Sequence, residues 1–183
     1  ISFTYFPNSP ALSTSNPDDE ALICAADYFG YKFIERTGGT LKLENRYSKQ
    51  ADNIEELDIL HTFEFTSERR RMSVVVKEPS GKIVLYMKGA KGVISGRLSQ
   101  GNLKETIKLT ELDYKSYTEE GLRCLYVACE TINTEKYNEW VQQYSEARLD
   151  LRQINRQKSG EANLVDDLIN DLAFVGLPKF ALN

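Results

Sequence analysis

The stretch MSVVVKEPSGKIVLYM, residues 72–87, contains two apolar runs with a turn sequence between them. The runs Met72–Val76 and Ile83–Met87 are rich in β-branched residues, which favour strands. The segment Lys77–Lys82 contains a proline and a glycine, as expected for a turn between antiparallel strands. A third run, Leu57–Phe65, leads into this hairpin through a polar loop. The sequence therefore predicts three neighbouring antiparallel strands.

The composition is that of an ordinary globular chain with a mild negative charge. A length of 183 residues with 41% hydrophobic content predicts a single domain over residues 1–183. The net charge of −4 argues against nucleic acid as a partner. No stretch reaches the roughly 20 apolar residues that span a bilayer. The chain shows neither a signal peptide nor an initiator methionine, which leads us to expect an excised piece or a processed product.

Cysteine and histidine are too few and too scattered for a typical metal site. The cysteines are Cys24, Cys124 and Cys129, and none of them forms a CxxC pair. Reduced thiols in a cytosolic setting are the simplest interpretation. The single histidine, His61, lies in an apolar strand, and we interpret it as structural. One histidine also argues against a Ser-His-acid triad.

Helices and further strands flank the predicted hairpin. A helix starts at Pro17 after the capping residue Asn16, and Leu22, Ala25, Ala26 and Phe29 predict its buried stripe. Other predicted strands are Ser2–Phe6, Tyr31–Arg36, Thr40–Leu43, Leu122–Glu130 and Ala173–Val175. Other predicted helices are Gly92–Leu98, Tyr114–Glu120, one capped by Thr134 and one over Leu164–Leu172, with Thr106–Leu112 ambiguous. This mixture predicts an α+β fold, an antiparallel β-sheet flanked by helices.

Motifs for self-contained catalysis are missing from the sequence. It contains no GxxxxGK[ST] phosphate loop, no GxGxxG after a strand and no GxSxG. Three short segments remain as candidates for function: residues 65–73, 88–90 and 121–123. From their residues alone, each also fits an ordinary solvated loop, turn or core position.

Taken in order, these segments resemble the nucleotide-binding domain of P-type ATPases, in the phospholipid-transporting flippase branch. The resemblance rests on NPDDEAL at residues 16–22, EFTSERRRMSV at 64–74, PSGKIVLYMKGA at 79–90 and EGLRCL at 120–125. A YxxW…Y pattern follows in residues 137–144. The match covers about residues 16–176, and five segments in the right order make it specific.

The resemblance implies a nucleotide site and assigns its main residues. Phe65 would stack on adenine, and Lys88 would lie deep in the pocket near the nucleotide. Gly89 would allow the backbone to approach the ligand closely. Arg123 would reach the phosphates, for which a guanidinium fork is suited.

The same resemblance implies a second group of contacts. Arg70 would lie beside the ribose or the phosphates. Asp19 would contact the adenine side; the family has Glu there, and Glu20 is the alternative for this role. Further candidates for polar contacts and for the pocket wall are Thr66, Ser67 and Met72. The tail after Val175 also departs from the family pattern.

The resemblance implies that this chain is a cytosolic domain of an integral membrane protein, and that the domain binds ATP or ADP. The γ-phosphoryl group would pass to an aspartate in a DKTG motif, which is absent here, so no catalytic residue and no metal ligand are expected in this piece. Mg²⁺ would bind mainly through the missing phosphorylation domain. The phosphorylation and actuator domains of the same polypeptide are the implied partners, with phospholipid bound only by missing membrane segments.

Two alternatives stay open at this point. One is the nucleotide domain of a cation-transporting P-type ATPase, which shares the Phe, KGA and LR elements. The other is a non-catalytic interaction module that binds polyanions through Arg69–Arg71. The module would bind in a strongly salt-dependent way and without preference for adenine.

Overall fold

A computed structural model describes residues 17–48, 52–98 and 104–150, together with the backbone of residues 177–181. It contains helices and antiparallel strands, and the predicted α+β class is confirmed. The elements in chain order are α1 Pro17–Tyr28, β1 Tyr31–Thr37, β2 Thr40–Asn45, β3 Ile54–Phe63, β4 Arg71–Lys77, β5 Ile83–Gly89, α2 Lys91–Ile94, a 3-10 turn Ser95–Arg97, α3 Lys104–Glu119, β6 Tyr126–Ile132, α4 Thr134–Leu149 and β7 Leu177–Ala181.

The chain divides into two compact units, residues 1–35 with 42–55 and residues 36–41 with 56–183. Helix α1 belongs to the first unit and begins at Pro17, as predicted. Its predicted buried stripe is wrong, because α1 has no buried residue and Phe29 is 55% exposed. Helical spacing puts apolar residues on one face, but burial also requires a layer that covers that face. One domain over residues 1–183 stays a prediction.

Strands β3 to β7 are neighbours in the sheet in chain order. The predicted hairpin is confirmed, since β4 and β5 pair antiparallel over their whole lengths, from Arg71 opposite Gly89 to Lys77 opposite Ile83. Its turn is closed by the N–H of Gly81, which donates to the carbonyl of Glu78 at 2.8 Å. Gly81 has a φ of +82°, a conformation that favours glycine.

One face of this sheet forms the main core with α2 and α4. Directly opposite residues of antiparallel strands point to the same face, so Val75, Leu85 and Met87 share it. Trp140 and Tyr144 of α4 pack against this face. The complete set of buried residues in this cluster is Phe63, Val75, Ile83, Leu85, Met87, Ile94, Tyr126, Ala128, Ile132, Trp140, Tyr144 and Ala147.

His61 lies in the aromatic part of this core, as its structural interpretation requires. Its ring centroid is 5.1 Å from Trp140 and 5.6 Å from Tyr144, both edge-to-face, and it stacks on Phe63 at 6.0 Å. Burial lowers the pKa of His61, and the positive charge of Arg148 lowers it further.

The opposite face of the sheet has a smaller cluster of Val76, Val84 and Cys129. Farther along the same face, Met72 and Lys88 are paired across β4 and β5, and both are half-buried. Lys88 therefore lies on the side of the sheet that does not carry the aromatic core.

Several element boundaries differ from the predictions. Residues 106–112 are helical within α3, β6 begins at Tyr126 rather than Leu122, and the N-cap of α4 is Asn133 rather than Thr134. The Asn133 side chain accepts hydrogen bonds from the backbone N–H groups of Glu135 and Lys136. Strand β7 was not predicted. The predicted elements that lie outside the described residues are Ser2–Phe6, Leu164–Leu172 and Ala173–Val175.

Candidate functional site

The loop between β3 and β4 presents Phe65 to solvent. The backbone N–H of Arg70 donates to the carbonyl of Thr66 at 2.8 Å, which closes the loop into a turn. Arg70 has a φ of +48°, in the left-handed region that non-glycine residues rarely adopt. The Phe65 side chain is 60% exposed, so its ring is available to stack on a planar ligand.

The end of β5 is joined directly to this loop. The N–H of Ala90 donates to the carbonyl of Arg70 at 3.2 Å. A Cβ at Gly89 would lie 2.6 Å from the Arg70 carbonyl oxygen and 2.9 Å from the Cα of Arg71. Gly89 is therefore needed for the approach of the protein's own backbone. Its approach to a nucleotide stays a prediction.

The register places Lys88 between two apolar neighbours. Met72 of β4 and Val127 of β6 lie directly opposite it. Lys88 is half-buried, and a positive charge in partly dehydrated surroundings attracts an anion more strongly than one in open water. The structure thus places Met72 and Lys88 side by side, and their roles in a nucleotide pocket stay predictions.

Two predicted residues lie outside the contact between the loop and β5. Arg123 is exposed in residues 122–125, shortly before Tyr126, which is the partner of Gly89 in β6. Asp19 is half-buried in the first turn of α1, in the first unit, next to Asp18 and Glu20. The roles of Arg123 and Asp19 stay predictions. Thr66 and Ser67 are exposed in the loop, and their roles stay predictions as well.

Sequence reasoning missed that the arginine run is partly internal. Arg71 is only 3% exposed, and its Nη1 donates to the carbonyl of Arg69 at 3.0 Å. Burial, and then the charges of Arg97 and Arg69, lower the pKa of Arg71 to about 10. The signal was the period of two along β4, which puts Arg71 on the same face as the buried Ser73 and Val75.

A surface cleft elsewhere in the second unit contains none of the predicted site residues. The Lys91 ammonium lies 4.8 Å from the centre of the Tyr114 ring there. The other residues that line the cleft are Lys108, Glu111, Leu112, Lys115 and Thr118.

Metal-binding clusters and membrane-spanning helices are both absent from the described ranges. Residues 17–48, 52–98 and 104–150 contain no group of three or more His, Cys, Asp or Glu side chains that could hold a metal ion. In the same part of the chain, no helix has the length and apolarity that crossing a membrane requires.

Comparison with known proteins identifies the family. Residues 10–178 match the family model described as P-type ATPase, cytoplasmic domain N. The chain belongs to this family. The resemblance drawn from the motifs is thereby confirmed, and the sheet with the loop of Phe65 at one end is part of a domain N.

Several similar proteins are phospholipid-transporting ATPases. This domain N is 37% identical over 143 residues to phospholipid-transporting ATPase IK of Mus musculus, covering 78% of the chain and 10% of that protein. It is 32% identical over 163 residues to phospholipid-transporting ATPase IG of Homo sapiens, covering 89% and 13%. Phospholipid-transporting ATPase 6 of Arabidopsis thaliana is 33% identical over 134 residues, covering 73% and 11%. The chain thus spans about a tenth to an eighth of the length of these relatives.

Proposed function

We propose that this domain N binds ATP on behalf of a phospholipid-translocating P-type ATPase. The observation that carries the proposal is the hydrogen bond from Ala90 to Arg70 at 3.2 Å. It joins the loop with the exposed Phe65 to the strand end with Lys88. An exposed aromatic ring and a lysine are therefore carried by two segments that are hydrogen-bonded to each other. An adenine nucleotide needs both groups, the ring for its base and the cation for its phosphates.

In this proposal, Phe65 stacks on adenine, and stacking of one base on an aromatic ring is worth about 1–3 kcal/mol. Lys88 attracts the phosphates as a point charge, whereas Arg70 and Arg123 offer planar forks with several donors. Gly89 and Met72 shape the wall beside Lys88. The supporting polar contacts from the loop are assigned to Thr66 and Ser67.

The affinity of this domain alone is expected to be modest. One stacked base and two or three solvent-accessible charges leave a net binding free energy of about −4 to −5 kcal/mol after ordering losses, a dissociation constant near the millimolar range. A weak site suits a domain that must also release its nucleotide.

The whole enzyme would complete the reaction with parts that this chain does not supply. The γ-phosphate would be presented to an aspartate outside this chain, so this chain alone would bind ATP without hydrolysing it. Positioning and charge neutralisation are most of what phosphoryl transfer needs from a protein. Mg²⁺ would be held mainly by the phosphorylation domain. The phosphorylation and actuator domains would be partners, the domain would face the cytosol, and phospholipid would contact only membrane segments.

A titration of the isotope-labelled protein with ATP, ADP and inorganic triphosphate tests the proposal through amide chemical shifts. We expect shifts centred on Phe65, Lys88 and Arg123 that saturate near millimolar ATP and are reproduced by ADP. Triphosphate should bind more weakly, because it has no base to stack. Spectra that stay unchanged at tenfold higher ATP would overturn the proposal. Equal binding of triphosphate and ATP would instead favour a polyanion-binding module.

A further inference from the structure

The side chain of Arg69 connects the two ends of the loop that carries Phe65. Its Nη1 donates to the carbonyl oxygen of Glu64 at 2.8 Å, and its Nη2 lies 3.5 Å from the hydroxyl oxygen of Ser73. Its guanidinium carbon also lies 5.9 Å from the centre of the Phe63 ring. One planar group thus contacts the chain on both sides of Phe65.

The backbone of Arg69 is held as well. Its N–H donates to the hydroxyl of Thr66 at 3.2 Å, and its carbonyl accepts from the guanidinium of the buried Arg71 at 3.0 Å. The contacts of Arg69 therefore involve Glu64 and Thr66, the two residues adjacent to Phe65 in the chain.

Phe65 needs such support because burial does not hold it. Its side chain is 60% exposed, so its orientation depends on the backbone of the loop. A loop that must be ordered during binding lowers the affinity, and a loop ordered in advance avoids this loss. The rigid fork of arginine loses little freedom for each hydrogen bond that it makes.

We infer that Arg69 is a positioning residue for the Phe65 ring, in the sense that it holds the loop in the conformation that can stack on adenine. The inference rests on the proposed nucleotide site. It assigns to Arg69 no contact with the nucleotide, in contrast to Arg70, its neighbour in the same run. The fork, and not the charge alone, is the feature that matters.

A double-mutant cycle on the full chain tests this inference. ATP affinity is measured for the parent, Phe65→Ala, Arg69→Gln and the double variant. We expect Arg69→Gln to weaken ATP binding about five- to tenfold in the parent and less than about twofold in the Phe65→Ala background, since coupled residues are not additive. Arg36→Gln removes a charge from an exposed position of β1 and serves as the matched control.

Arg69→Lys separates geometry from charge and also serves if the Gln variant fails to fold. We expect Lys to weaken binding about as much as Gln, because an ammonium group cannot reach the Glu64 carbonyl and Ser73 as a planar fork does. The amides of residues 64–70 should then show increased motion in ¹⁵N relaxation. Full retention of affinity by Arg69→Lys would overturn the inference.

Two further outcomes distinguish the inference from the function on which it rests. If the parent does not bind ATP at all, the proposed function fails and the inference fails with it. If the parent binds ATP and Arg69→Gln lowers affinity equally with and without Phe65, the inference alone is overturned, and Arg69 then contacts the phosphates directly.

Discussion

The backbone N–H of Ala90 donates a hydrogen bond to the carbonyl oxygen of Arg70 across 3.2 Å. This bond connects two segments that are 20 residues apart in the chain and that carry the candidate aromatic and cationic groups. The bond requires a close approach of the two backbones, and Gly89 permits it.

Replacement of Gly89 by alanine should therefore destabilise the protein. The new Cβ would lie 2.6 Å from the Arg70 carbonyl oxygen, and such overpacking typically costs about 1–3 kcal/mol. Urea unfolding measures the loss. Gly92→Ala is the matched control, since a Cβ there meets nothing within 4 Å and alanine favours the helix. Equal stability of Gly89→Ala and the parent would show that the two backbones separate freely.

Replacement of Phe65 by alanine should weaken ATP binding without unfolding the protein. Loss of one stacked base corresponds to roughly a 5- to 150-fold change in dissociation constant. The unfolding free energy should change by less than about 0.5 kcal/mol, because the side chain is largely exposed. Phe65→Trp should retain binding, and Leu109→Ala, which truncates another exposed apolar residue, should have no effect. Unchanged ATP affinity in Phe65→Ala would refute the adenine assignment.

Removal of the Lys88 charge should also weaken ATP binding. We expect Lys88→Ala to lower affinity about three- to tenfold at low salt, because in the proposed site the charge of the half-buried Lys88 would attract the phosphates. The difference in ATP affinity between Lys88→Ala and the parent should become smaller at high ionic strength, where charges are screened. Lys82→Ala in the exposed hairpin turn is the matched control for charge. If both lysine variants bind ATP like the parent at low salt, Lys88 is not part of the site.

The stability of the aromatic core should depend on pH through His61. Its folded pKa is lowered below the ordinary value of 6.5, so the unfolded chain binds the proton more readily. The contribution of His61 to the free energy of unfolding is therefore complete above pH 6.5. It decreases as the pH falls from there through the folded pKa.

His61→Phe should remove this dependence while filling the space among Phe63, Trp140 and Tyr144. The measurement is the difference in unfolding free energy between parent and variant from neutral to mildly acidic pH. We expect the unfolding free energy of the variant to increase relative to that of the parent as the pH falls. A constant difference over this range would mean that His61 does not titrate differently in the folded state.

Much of the sheet was predictable because its signals are local. The β-branched runs and the turn of residues 77–82 specify β4, β5 and their register. The exposure of α1 was not predictable, because the helical spacing of Leu22 and Phe29 does not show whether another layer covers that face. Strand β7 pairs with β6 through Phe180 opposite Val127, a contact between distant parts of the chain that no local pattern shows.

The candidate site was predictable as motifs but not as an assembly. The order of the motifs pointed to Phe65 and Lys88 without showing how they are connected. The Ala90–Arg70 bond and the contacts of Arg69 depend on tertiary structure, and arginine type alone does not distinguish an internal side chain from a solvated one. The period of two in β4 would have identified Arg71 as internal, had it been extended one residue toward the loop.

The alternation of side chains along β4 and β5 has a consequence for how this domain can vary. Ser73 and Val75 face the aromatic core. Met72 is nearer to the loop and lies on the opposite face of the sheet, beside Lys88. Position 72 can therefore vary with little effect on the aromatic core, whereas position 76, on the same face, belongs to the smaller buried cluster. In evolutionary terms, sequence divergence in β4 should concentrate at the end next to the loop and on one face, because the other positions of the strand are held by one of the two buried clusters.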